Sequence, residues 1–242
     1  MTADSVINTP WHLDGARLLL NIVTNESHQI SLKKSYSTIQ IPLYISNLTK
    51  ESKVAVSIRY LWQGMIHIGL GWDHIAFVLC LFFLASGRHL SALISAFTIG
   101  HSITLGLAFL GYIHIPIQPI EILIALSIIL MAREVLLIQE QKKSDAITNG
   151  FIMVILFGLV HGLGFASALK ELGVADDELW LSLLFFNFGV EFGQLIFISG
   201  MLIFMALLAK VKWQEKIQTI SVYTAGGLGV FWALERITAM FA

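Results

Sequence analysis

The sequence predicts an all-α integral membrane protein: a polytopic bundle of six transmembrane helices behind a short N-terminal extramembrane segment that contains β-strands. Three observations carry this. Hydrophobic residues make up 56% of the 242-residue chain and charged residues 13%, which is about half the charged share of a soluble domain. Mean hydropathy is +0.78. The charged residues gather before Tyr60 and in short connectors, leaving apolar runs near the ~20 residues that a ~30 Å hydrocarbon core requires. Continuous runs mean helices rather than barrel strands, because a helix satisfies its backbone groups within the segment. The net charge of -1 and pI of about 6.7 give no basic surface for nucleic acid. Cys80 is the only cysteine, so no internal disulfide forms.

Residues 1–60 form the extramembrane segment. They hold Arg17, Lys33, Lys34, Lys50, Lys53 and Arg59, and two stretches alternate like half-buried strands: Ile39, Ile41, Leu43, Ile45 and Val54, Val56, Ile58, Tyr60. So few strands seldom fold alone, so the segment is expected to pack on the membrane part or to end a larger β-rich domain. Met1–Leu20 has no basic stretch followed by a sustained apolar run, so no ordinary signal peptide is expected. Residues 61–242 form the membrane domain, with spans expected at 62–84, 90–110, 117–137, 146–169, 179–208 and 219–241. The fifth is long and is expected to tilt or project from the bilayer.

Orientation follows the basic residues. Connectors after the first, third and fifth spans hold Arg88; Arg133, Lys142 and Lys143; and Lys210, Lys212 and Lys216. The connector Gly111–Pro116 has none, and Lys170 is set against Glu171, Asp176, Asp177 and Glu178. The basic set is expected on the cytoplasmic side and both termini outside. Arg133 with Glu134 and Glu235 with Arg236 lie near span ends and are expected to reach toward water. Trp62, Tyr112 and Trp180 suit the aromatic belt.

Inside the spans sit His67, Asp73, His74, His101, Glu121, His161, Asn187, Glu191 and Gln194. A central carboxylate costs roughly 2.5–3.5 kcal/mol to insert, so these residues should face the bundle interior and find partners. Counted inward from the outer span ends at ~1.5 Å per residue, all but Gln194 lie between ~6 and ~18 Å deep. Contacts that merely lock helices would scatter over the whole thickness. Five spans supplying ligand-type groups to the outer half suggest one shared polar centre, with His67, Asp73, His74, His101, His161 and Glu191 as candidate metal ligands. Glu121, Asn187, Gln194, Ser102 and Thr104 are candidate supports.

The first span holds His67-Ile-Gly-Leu-Gly-Trp-Asp73-His74. On a straight helix His67 and His74 share a face but stand ~10 Å apart along the axis, too far to clasp one ion with bonds of ~2 Å. Either they serve successive sites, or the helix opens at Gly69 or Gly71, as the broken helices of transporters do. His101-Ser102-Ile-Thr104 sets a hydroxyl near an imidazole. Asn187, Glu191 and Gln194 share one helical face, and the pairs Gly158/Gly162 and Gly189/Gly193 allow close helix approach. Imidazoles and carboxylates suit Ni²⁺, Co²⁺ or Zn²⁺, and no thiolate cluster offers a Cu(I) site.

Four runs in order, His67-x5-Asp73-His74, Phe97-Thr-Ile-Gly-His101-Ser-Ile-Thr104-Leu, Phe157-Gly-Leu-Val-His161-Gly-Leu-Gly-Phe-Ala and Phe186-Asn187-Phe-Gly-Val-Glu191-Phe-Gly-Gln194, resemble the HupE/UreJ family of hydrogenase/urease accessory membrane proteins, closer to its second, UreJ-like branch. The resemblance covers nearly all of Gly64–Leu208. It implies a six-helix bacterial inner-membrane permease for nickel or cobalt, metal binding by His67, Asp73 and His74, and partners in hydrogenase or urease maturation. It also implies a larger extracytoplasmic β-rich domain that residues 1–60 would end. Nickel-permease members carry a second motif whose first histidine and glutamate fall at Phe157 and Gly164, so two of its ligands are absent here.

The expected function is therefore a permease that moves a divalent transition metal inward. No Walker-type loop is present, so a gradient or partner subunit would drive it. The alternatives are an intramembrane metal-dependent hydrolase, for which His-Glu-x-x-His spacing is lacking, a histidine-ligated haem protein, and a metal-delivery protein without net transport.

Overall fold

The computed structural model describes residues 29–34, 37–42, 52–142, 145–171, 178–210 and 212–241. The chain divides into two units, Met1–Ser52 and Lys53–Ala242. In the first, β1 (Gln29–Lys34) pairs antiparallel with β2 (Ser37–Pro42), in register from Gln29 opposite Pro42 to Lys34 opposite Ser37. Ile39 and Ile41 lie in β2, while Leu43 and Ile45 fall outside the described residues.

The second unit is helical throughout its described elements: α1 Lys53–Leu70, α2 Trp72–Leu84, α3 Gly87–Phe109, α4 Ile117–Gln139, α5 Asp145–Glu171, α6 Leu179–Ala209 and α7 Gln214–Phe241. The alternating stretch from Val54 to Tyr60 is helix, not strand. Val56, Tyr60, Gly64 and Ile68 form a buried stripe at every fourth position, while Val54 and Ile58 are 67% and 63% exposed. A short apolar alternation fits either period, and here the helical one wins because the stripe continues. With α1 starting at Lys53 instead of Trp62, His67 lies ~21 Å along its helix rather than near the outer surface.

Among the described residues, α3, α6 and α7 are long and apolar enough to cross a membrane, and the bent pair α1–α2 makes a fourth candidate. The other two expected spans fall short of that measure. Among the described residues of α5, Gly150–Phe165 is a shorter apolar stretch. Large apolar side chains cover the outside of α6 and α7, as a lipid solvent requires, whereas the most apolar part of α3 is 56% buried and central.

Glycines bring helix backbones together in couples. A Cβ at Gly64 would collide with the Phe186 carbonyl, and one at Gly189 with the Leu61 carbonyl. Gly193 faces Met65 and Ile68, so partner numbers rise together and α1 runs parallel to α6. Gly100, Gly158 and Gly162 couple α3 to α5 in the same way, also parallel. Gly226 meets Ala132 and Gly229 meets Ala125 and Ile129, so α4 and α7 are antiparallel. The core between the couples is built from Phe77, Leu81, Leu93, Phe97, Ile128 and Met131, with the Cys80 thiol buried among them.

A candidate metal centre

The centre begins where α1 ends. Gly71 N donates to the His67 carbonyl (2.9 Å), the Gly71 carbonyl accepts from Ile75 N (2.9 Å), and the helix axis turns by 77° between α1 and α2. A Cβ at Gly71 would stand 2.7 Å from the His67 oxygen and 3.1 Å from His74 Nδ1, so only glycine fits the bend. Gly69 stays inside α1. The turn folds His74 back onto His67, with ring centroids 4.6 Å apart. The separation of a straight helix is gone, and the opened-helix alternative is the one adopted.

Two further side chains and a backbone carbonyl fix the ring orientations. Asp73 sits in the first turn of α2, where the helix dipole favours an anion, and its Oδ1 accepts from His74 N (2.8 Å) and His74 Nδ1 (3.0 Å). Asn187 Nδ2 donates to the Leu183 carbonyl (2.8 Å), which turns its Oδ1 toward His101 Nδ1 at 3.4 Å. His161 Nδ1 donates to the Phe157 carbonyl (2.9 Å). A carboxylate or carbonyl oxygen only accepts, so each Nδ1 carries the proton and each Nε2 keeps its lone pair. Metal-binding histidines are oriented by this kind of partner.

The Nε2 atoms of His67, His74, His101 and His161 are all buried, and none finds a hydrogen-bond partner among the described residues. One ligand atom from each of His67, His74 and His101 lies within 4.8 Å of the others. His161 packs against His74 with centroids 4.9 Å apart. Phe165 lies over His67 (3.8 Å) and stacks on Phe186 (5.1 Å), while Phe97 and Phe77 flank His161 (5.0 and 5.2 Å). Four imidazoles from α1, α2, α3 and α5 thus meet within an aromatic wall that keeps water away and strengthens any charge interaction inside.

The other expected site residues are arranged around this core. Glu191 accepts from Ser95 Oγ (2.7 Å) and Gln194 Oε1 from Thr98 Oγ1 (3.2 Å), forming a polar seam between α3 and α6 outside the three-imidazole group. Ser102 donates to the Thr98 carbonyl of its own helix (2.6 Å), and Thr104 ties α3 to the Leu159 carbonyl of α5 (2.6 Å). Glu121 lies 3.8 Å from Arg236 Nε through its Oε2. At the departing motif positions, Phe157 contributes only its carbonyl to His161, and Gly164 faces Ile124 and Ile120 of α4, an apolar surround.

Two side chains expected to reach water turn inward. Glu134 is buried beside Arg133, whose own side chain is 57% exposed. Arg236 crosses from α7 to α4, its Nη1 donating to the Glu121 carbonyl (2.8 Å) and its Nη2 standing 4.0 Å from Asp73 Oδ2. Its neighbour Glu235 is exposed. Its place near a span end suggested an anchor reaching toward water; Arg236 instead meets Glu121 of α4 and Asp73 of α2.

A family profile described as HupE / UreJ protein matches residues 45–236. Neither the curated proteins nor the solved structures compared with the chain include a match. The matched region contains every element of the imidazole centre, and the chain belongs to the HupE/UreJ family, in general accessory membrane proteins linked to nickel and cobalt.

Proposed function

We propose that the protein is a permease that moves a divalent transition-metal ion, nickel or cobalt, inward across a bacterial inner membrane. The ion would be held by His67, His74, His101 and His161, with Asp73 and Asn187 orienting the rings. The observation that carries this function is the set of four buried Nε2 atoms without partners. Each unsatisfied buried polar atom costs about 1–3 kcal/mol, and a cation accepting all four lone pairs removes that penalty at once. The helix directions support six traversals with both termini on the outer face: α1 parallels α6, α3 parallels α5, and α4 opposes α7, as strict alternation demands once α1–α2 counts as one span. The imported ion serves hydrogenase or urease maturation.

Uptake of ⁶³Ni or ⁵⁷Co into vesicles holding the purified protein tests the function. Transport abolished by His67→Ala and by Asp73→Ala supports it, and equal flux in protein-free vesicles overturns it. A second function is favoured by the three-imidazole group within 4.8 Å: three histidines with an open fourth position is the ligand set of hydrolytic zinc sites. Zinc-dependent cleavage of a lipid without metal flux marks that alternative, and stoichiometric binding without either marks metal delivery.

A further inference from the structure

We propose that Arg236 is a positioning residue that keeps Asp73 out of the ion's coordination and so makes the centre an all-imidazole one. Asp73 Oδ1 is committed twice to His74. Its second oxygen, Oδ2, is not engaged by His74, and Arg236 Nη2 stands 4.0 Å from it. The guanidinium is anchored on its other side by Glu121, through Nη1 to the backbone carbonyl (2.8 Å) and Nε to Oε2 (3.8 Å). It is 21% exposed and comes from the last turns of α7, between Glu121 of α4 and Asp73 at the start of α2.

One cation thus sits between two carboxylates with a net charge of one negative. Asp73 is balanced well enough to remain the support of His74, while Glu121 keeps the guanidinium from settling fully on Asp73. Guanidinium suits this place because its planar fork addresses two groups at once and stays charged. Without Arg236, Oδ2 faces a divalent ion unopposed and becomes a ligand, converting an all-nitrogen set to a mixed nitrogen–oxygen one with altered metal preference. Without the Glu121 charge, the full positive charge of Arg236 falls on the centre and repels the ion.

The test rests on the proposed metal centre and is arranged so that the two can fail separately. Purified full-length protein in detergent is titrated with Co²⁺, and affinity and the visible d–d spectrum are recorded for the wild type, Arg236→Gln, Arg236→Lys and Glu121→Gln. The expected result is opposite signs: Arg236→Gln binds about tenfold tighter and Glu121→Gln about threefold weaker, as the removed charges dictate. Arg236→Gln also loses d–d intensity as an oxygen ligand joins the imidazoles, and Arg236→Lys keeps the wild-type spectrum. A purely structural role weakens binding in every variant and leaves the spectrum alone, which overturns the inference. If Arg236→Gln does not fold, the sign for Glu121→Gln and the Arg236→Lys spectrum decide it. A wild type that binds no cobalt, nickel or zinc overturns the metal centre itself.

Discussion

The carboxylates and imidazoles inside this bundle fall into two populations, while two other buried atoms, Gln194 Nε2 and Ser182 Oγ, also lack a hydrogen-bond partner among the described residues. On the α3–α6 seam and at the α4–α7 end, each carboxylate has a partner: Ser95 for Glu191, Arg236 for Glu121, Arg133 for Glu134. At the α1–α2 bend the imidazoles are as deeply buried, yet every Nε2 is left without one while the opposite ring nitrogens of His74, His101 and His161 are bonded. Satisfied groups fasten helices together. Groups oriented on one side and unsatisfied on the other are set for something that is not part of the chain.

The sharpest way to break this contrast is to remove a ring. His74→Ala or His101→Ala should lower Co²⁺ or Ni²⁺ affinity by more than roughly 100-fold, beyond what loss of a supporting partner does, as read by elemental analysis of gently purified protein. Asp73→Asn keeps the geometry but loses the charge behind His74, and a loss of about 10–100-fold is expected in the same titration. Gly71→Ala forces a methyl against the His67 carbonyl and His74 Nδ1. It should destabilise by about 1–3 kcal/mol, seen as earlier thermal aggregation in detergent, and loosen the metal. Asn187→Leu removes only the longest of the orienting contacts, and about a tenfold loss of affinity is expected. The smallest effect belongs to the satisfied population. Ser95→Ala should change binding affinity little and lower stability by about 0.6 kcal/mol, the average for hydrogen bonds between membrane helices.

Much of the centre is legible in the sequence because chemistry that is costly in lipid stands out against an apolar background. His67, His74, His101 and His161 can be picked out that way, and Gly71 can be recognised as a place for the helix to open. Gly158/Gly162 and Gly189 announce close helix approach and make it. Four features are not legible. The start of α1 is hidden because Val54–Tyr60 satisfies both the strand and the helix period, and only the Gly64 and Ile68 continuation decides between them. Arg236 is read with its sequence neighbour because its partner Glu121 is 115 positions away. The burial of Glu134 depends on how α4 rotates against its neighbours, which composition near a span end does not encode. Asp73, a candidate ligand, has its Oδ1 bonded to both nitrogens that His74 offers it, a contact that adjacency in sequence does not reveal.

The glycine couples have a consequence for how the centre can respond. Where backbones touch, neither member of a couple can slide alone, so α1 moves with α6, α3 with α5, and α4 with α7, against which α2 also packs. His67, His101 and His74 ride one on each of these three bodies. A small rocking of any body stretches two sides of the nitrogen triangle and leaves the third unchanged. Grip on an ion at the proposed centre would therefore be a readout of the whole bundle's posture, relaxed without unwinding a turn of helix.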